Sequence, residues 1–224
     1  MLTKEIVAQL KARANPANVA GMARYGINSA GTLGVNIPVL RQLARSHRRE
    51  HGLAQELWQT GIHEARILAA LVDDPRQVTA HQMEDWVRDF DSWDICDQVC
   101  SNFFDKTRFA WTKAVTWSQR HGEFNKRAGF VLMAALAVHD KQAPNDAFRR
   151  FFPLMFRAAT DERNFVRKAV NWALRQIGKR NPMLRRDAIK LAHRIQRVDS
   201  KAARWIAADA LRELLAPSRT LRSR

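Results

Sequence analysis

The segment Asp91-Ser92-Trp93-Asp94-Ile95-Cys96-Asp97 concentrates groups that can do chemistry. On a helix, Trp93 and Asp97 fall one turn apart and project from the same face. That spacing sets a carboxylate beside an aromatic ring. A carboxylate so placed can steady positive charge or orient and deprotonate water, and an aromatic face attracts cations. A purely structural arrangement fits the same residues: Trp93 as packing, Asp94 as a helix cap, Asp97 in an ion pair between repeats. Asp94 sits about 100° round the helix from Trp93, which suits it to cap or to pair with a neighbouring Arg. Trp172, within Arg167-Lys168-Ala169-Val170-Asn171-Trp172-Ala173, lies outside the apolar stripe of its own segment. It is a candidate either for stacking or for partial burial. Trp58, Trp86, Trp111, Trp117 and Trp205 read as core.

Other chemistries find little support. The seven His show no dyad or ligand spacing, and no Gly-rich phosphate loop or nucleophile elbow is present. Cys96 and Cys100 share a helix face without a His or Cys cluster at metal-ligand spacing, so they read as buried reduced thiols. No metal and no cofactor is expected. No Lys is obviously placed for a Schiff base.

The elements that must hold these residues are helices. Nine Gly and seven Pro are few for 224 residues, and no stretch sustains a period of two. Val166, Ala169, Val170, Ala173, Leu174 and Ile177 mark one face of an amphipathic helix. Thirty-seven positions on, Ala203, Ile206, Ala207, Ala210, Leu211 and Leu214 repeat the spacing. A basic residue follows the first apolar one in both, Arg167 and Arg204. Weaker copies surround Arg66 and Arg127, and the steps from Arg127 to Arg167 to Arg204 are 40 and 37 residues. Periods of this length mark HEAT-type solenoids. The 61 residues from Arg66 to Arg127 leave room for one more unit, centred on Trp93. The expected fold is therefore all-α, a helical-repeat solenoid with a concave basic surface, as one domain over residues 1–216. Residues 217–224 are expected to form a disordered basic tail. Asn36-Ile37-Pro38 reads as a helix start, and Asn15-Pro16, Asp74-Pro75 and Asn181-Pro182 as breaks. A stack of helix pairs offers no evident deep pocket, which leaves open whether a nucleotide is turned out of the duplex.

The formal net charge is +16, with 38 Lys and Arg against 22 Asp and Glu and a pI near 11.1. Such an excess attracts polyanions and points to nucleic acid. Arg41, Arg45, Arg48 and Arg49 follow Pro38 at i, i+4, i+7 and i+8, one basic face of a helix. Arg175, Lys179 and Arg180, then Arg185 and Arg186, form a second cluster, and the two would grip a duplex from either side. No apolar run reaches the roughly 20 residues of a membrane span, and Lys4, Glu5 and Gln9 stand where a signal peptide needs apolar residues. A soluble, cytoplasmic protein is expected, nucleoid-associated in a bacterium, monomeric and without an obligate protein partner. A protein-interaction scaffold would want a large apolar or acidic concave face, and the basic clusters count against it.

His63-Glu64-Ala65-Arg66, Trp93-Asp94-Ile95-Cys96-Asp97, Arg127-Ala128 and Arg167-Lys168-Ala169-Val170-Asn171-Trp172-Ala173-Leu174-Arg175 together resemble the HEAT-like-repeat alkylpurine DNA glycosylases of the AlkD type. So does Met22-Ala23-Arg24-Tyr25 followed by Gly34-Val35-Asn36-Ile37-Pro38. The motifs run in order from Leu2 to Leu215. The resemblance implies excision of cationic N3- and N7-alkylated purines, such as 3-methyladenine and 7-methylguanine, from duplex DNA in base excision repair. It places the essential carboxylate on Asp97 and the active-site aromatics on Trp93 and Trp172. The arginine falls on Arg127, or on Lys126 with a slip of one, and a nearby tyrosine on Tyr25. Asn36 stands where the family often carries Gln, and Arg167 where Gln can occur. A monofunctional hydrolase without lyase activity is implied. The alternative is an inert helical-repeat module that binds damaged or distorted DNA, which would not need Asp97.

Overall fold

The computed structural model describes residues 2–216, and the tail expected over 217–224 lies outside the described residues. Every regular element among the described residues is helical. The chain divides into two compact units, Met1–Lys113 and Ala114–Arg224. The first holds α1 (Leu2–Ala12), α2 (Pro16–Arg24), α3 (Ile37–Ala44), α4 (His51–Gln59), α5 (His63–Val72), α6 (Ala80–Arg88) and α7 (Trp93–Asn102), then a single 3-10 turn at Phe104–Lys106. The boundary falls within α8 (Ala110–Trp117). The second unit continues with α9 (Glu123–His139), α10 (Asn145–Arg149), α11 (Phe152–Ala158), α12 (Asn164–Gly178), α13 (Pro182–Gln196) and α14 (Lys201–Leu215).

Local sequence sets these ends. Asn15 and Asn181 each accept from the backbone N–H three residues on, with Pro opening the helix behind them, and Thr79 and Ser200 cap α6 and α14 the same way. The Asp74-Pro75 break separates α5 from α6 as read from the sequence. The basic face expected after Pro38 is not built. Its apolar positions Leu40 and Ala44 support only eight helical residues, α3 stops at Ala44, and Arg45 is already its cap. Arg48 and Arg49 lie beyond, Arg49 with a left-handed φ of 65°. Arg41 and Arg45 remain exposed.

In the first unit α5 is the central helix, with His63, Glu64, Ala65, Ile67 and Leu68 all buried. It packs against α3, α4 and α7. Trp58 and Trp86 stack with centroids 4.0 Å apart, flanked by Phe90, Phe103 and Phe104. Trp58 Nε1 donates to Asp89 at 2.8 Å, and Arg66 lies over the same ring while pairing with Asp89.

In the second unit α9 is buried without a break from Arg127 to Ala137. It packs along α12, which also meets α11, α13 and α14. Every residue of the two apolar stripes read from α12 and α14 is buried. Hydrogen bonds recur at one sequence separation here: Arg127 to Phe165, Arg149 to Asp187, Ser200 to Glu162, Asn171 to Asp209 and Arg175 to Glu213 all span 38 residues. In the first unit Trp58–Asp89 and His63–Asp94 span 31. These separations carry the repeat more directly than the arginine steps do.

Two of the tryptophans assigned to the core are not there. Trp58, Trp86 and Trp117 are fully buried, whereas Trp111 is only half-buried and Trp205 is 37% exposed beneath the Arg167 guanidinium. Trp205 sits between stripe positions Ala203 and Ile206, so the helix turns it outward.

Candidate active site

Trp93 opens α7, and the loop joining α2 to α3 fixes it there. Its indole Nε1 donates to the Tyr25 carbonyl at 3.0 Å. Ser92, at the N-cap, gives its hydroxyl to the same loop by accepting from Asn28 N at 2.9 Å, and Asp91 accepts from the Asn28 side chain at 2.7 Å. The loop is itself pinned. Glu64, 1% exposed at the start of α5, accepts from the backbone N–H groups of Leu33, Gly34 and Val35. Gly34 has φ 78°, and a Cβ there would stand 2.3 Å from the Asn15 carbonyl, so only glycine lets α2 sit this close. The chain of contacts from Glu64 through the loop to Trp93 holds the indole still.

Asp97 lies one turn beyond Trp93 on α7, half-buried like the indole. Its charge is felt locally. Burial first, then Cys96 and the carboxylates of Asp97 and Asp105, push the Cys100 thiol well up. Cys96 and Cys100 are buried and not joined in a disulfide. Tyr25 is 73% exposed, and its carbonyl is the atom that meets Trp93. Tyr25, Trp93 and Asp97 are thus carried by one corner of the first unit.

Within the second unit, Trp172 is half-buried on α12, and the Gln176 amide one turn on can accept from its Nε1 at 3.0 Å. Arg127 is 5% exposed and donates to the Phe165 carbonyl at 2.6 Å, joining α9 to the first turn of α12. Lys126 is engaged with Asp161 at 2.8 Å. The expected phosphate cations on and after α12 have protein partners. Arg175 pairs with Glu213, and Lys179 meets the same carboxylate at 2.7 Å. Arg180 donates to the carbonyls of Ala137 and Ala143 and lies over the Phe148 ring. No metal-binding cluster of His, Cys, Asp or Glu occurs among the described residues, and none of their helices is long and apolar enough to cross a membrane.

The sequence reading missed a histidine–carboxylate dyad. His63 Nε2 and Asp94 Oδ2 are 2.8 Å apart, so Asp94 pairs with histidine, where a helix cap or a neighbouring Arg was expected. No sequence signal marked it, because the 31-residue separation it shares with Trp58–Asp89 shows only once the helices are paired. A second pair, His51–Asp73, is 2.7 Å apart. Burial pulls the His63 imidazole down, but the hydrogen bond and charge of Asp94, with Glu64 and Asp91 behind it, raise its pKa above the ordinary 6.5. A histidine held charged by folding contributes stability that is complete below its unfolded pKa and lost as pH rises through the folded one. The urea midpoint is therefore expected to fall as pH rises past 6.5, and Asp94→Asn should flatten that dependence. An equal slope in the variant would place the titration elsewhere.

The structure also holds an open depression of about 450 Å³ between α2, the loop after it, and the first turns of α5 and α7.

Comparison with known proteins follows the same lines. A family model described as "DNA alkylation repair enzyme" matches residues 6–214. No curated protein matches the chain. A solved structure superposes with a TM-score of 0.76 and 17% identity, covering 95% of this chain and 95% of that one. That protein is described as one of "a new family of proteins related to the HEAT-like repeat DNA glycosylases with affinity for branched DNA structures". The fold is thus of the HEAT-like-repeat kind.

Proposed function

The chain belongs to the DNA alkylation repair enzyme family, and from that premise we propose that it is a monofunctional glycosylase hydrolysing cationic N3- and N7-alkylated purines out of duplex DNA. The observation that carries this reading is the pinned Trp93 with Asp97 one turn away on the same face of α7. Alkylation at N3 or N7 leaves the purine positively charged, so no acid is needed to make it leave. As the C1′–N bond breaks, its electron pair neutralises the purine and positive charge grows on the deoxyribose. Asp97 stabilises that charge and orients water, whose oxygen bonds to C1′ while its proton passes to the carboxylate. Trp93 offers its ring face to the charged lesion or sugar, worth on the order of 0.5–2 kcal/mol. Arg127 serves as a fixed, buried cation that keeps its helix pair in register.

Exposed Arg41 and Arg45, with Tyr25, take the phosphate contacts. Arg175, Lys179 and Arg180 lend charge at longer range, because their side chains already hold protein partners. The protein works as a monomer on cytoplasmic DNA, with no cofactor.

The test is selectivity by charge. Release of 7-methylguanine and 3-methyladenine, with uracil and hypoxanthine left in place, supports the reading; equal release of neutral bases contradicts it. A second reading, a non-catalytic module for branched or damaged DNA, is favoured by the solved relative's affinity for branched DNA. It predicts tight binding to a four-way junction and no base release at all.

A further inference from the structure

Within the second unit, α11 and α13 border a groove whose residues have no part in the reaction just described. α11 buries Leu154, Met155 and Ala158, and turns Phe152, Pro153 and Phe156 toward the groove. Leu191 of α13 closes this apolar floor, and the open space between the two helices is about 460 Å³. Phe152 and Phe156 are each half-buried, so part of both rings stays in water. A partner that covers such surface gains on the order of 25 cal/mol for each Å² removed from water.

Cations rim the floor. Arg157 stands exposed on the α11 side, and Lys190, Arg194 and Arg197 follow one another at i, i+4 and i+7, an exposed stripe along α13. None of the four is in an ion pair with another described residue. The one carboxylate on the groove wall, Asp187, is matched by Arg149 at 2.9 Å, so it leaves their charge uncompensated. An anionic occupant follows from the rim, and the floor decides which kind. A phosphate backbone gains nothing from an apolar floor. Stacking of a base on Phe156 is opposed as well, because the Arg194 guanidinium lies over that ring, 4.9 Å from its centroid. A helix with apolar residues on one face and carboxylates beside them uses both features at once. We propose that this groove docks an acidic amphipathic helix of a partner protein, its apolar side chains on Phe152 and Phe156 and its carboxylates against Arg157, Lys190 and Arg194. Such docking is independent of the DNA chemistry and is compatible with either reading above.

The experiment follows, by fluorescence anisotropy, the binding of a labelled peptide with Leu along one helical face and Glu along the other to the full chain. The wild-type protein is expected to bind it, less tightly as salt rises, and equally well when already saturated with duplex DNA. Lys190→Glu combined with Arg194→Glu should weaken binding about tenfold or more, since like charges would then face each other across the interface. Lys4→Glu combined with Lys11→Glu alters the net charge by the same amount at exposed positions of α1 and should leave the affinity unchanged. A peptide with Ser in place of Leu keeps the carboxylates and should lose most of its affinity. Failure of the Leu–Glu peptide to bind overturns the assignment, as does equal binding of the Ser peptide or an equal loss in the Lys4 and Lys11 variant. Displacement of the peptide by duplex DNA or by oligothymidylate would give the groove to nucleic acid and overturn it too.

Discussion

Asp97→Asn is expected to lower 7-methylguanine release by about 100- to 1,000-fold, the size of effect seen when one preorganised electrostatic group is lost. The substitution keeps shape and burial on α7 and removes only the charge and the basic oxygen. The C1′–N bond would still break toward a leaving group that needs no proton, but the growing cation on the sugar would lose its counter-charge. Affinity for the same duplex should stay within about twofold, because binding depends chiefly on phosphate neutralisation by cations. Single-turnover release and equilibrium binding, measured on one preparation, separate the two effects. Normal excision by the variant would sink the assignment of Asp97.

Glu64→Ala is expected to destabilise the first unit by about 3–5 kcal/mol, read from the urea midpoint. Two buried backbone N–H groups, of Gly34 and Val35, and the part-buried one of Leu33 end on this one carboxylate, and a buried donor left unsatisfied costs about 1–3 kcal/mol. The loss reaches the site, since the same loop carries the Tyr25 carbonyl that holds Trp93. Glu64→Gln keeps one acceptor oxygen and should cost less. A change within about 0.5 kcal/mol, the range of ordinary surface substitutions, would show that the loop is held by other contacts.

Much of the fold was legible because helical periodicity leaves a plain trace. The stripes on α12 and α14 are buried residue for residue, and the Asn-Pro pairs at 15–16 and 181–182 open helices as their chemistry requires. Trp93 and Asp97 share a face because a four-residue spacing on a helix allows nothing else. What stayed hidden depends on pairing between helices. His63 and Asp94 look unrelated until α5 and α7 are laid side by side. The depression beside α2 arises from a short helix that buries none of its residues. Trp205 was a different case: it sits off its stripe just as Trp172 does, and the reasoning that set Trp172 apart applied to both. The four-arginine face failed because charge pattern alone cannot sustain a helix after its apolar residues run out at Ala44.

Incubating the wild-type protein with a duplex holding a single 7-methylguanine, then treating it with alkali, tests the central claim most directly. Strand cleavage at the lesion, growing with time and absent without protein, is the predicted result. An intact strand under conditions where the protein binds that duplex tightly and in a salt-dependent manner would contradict it.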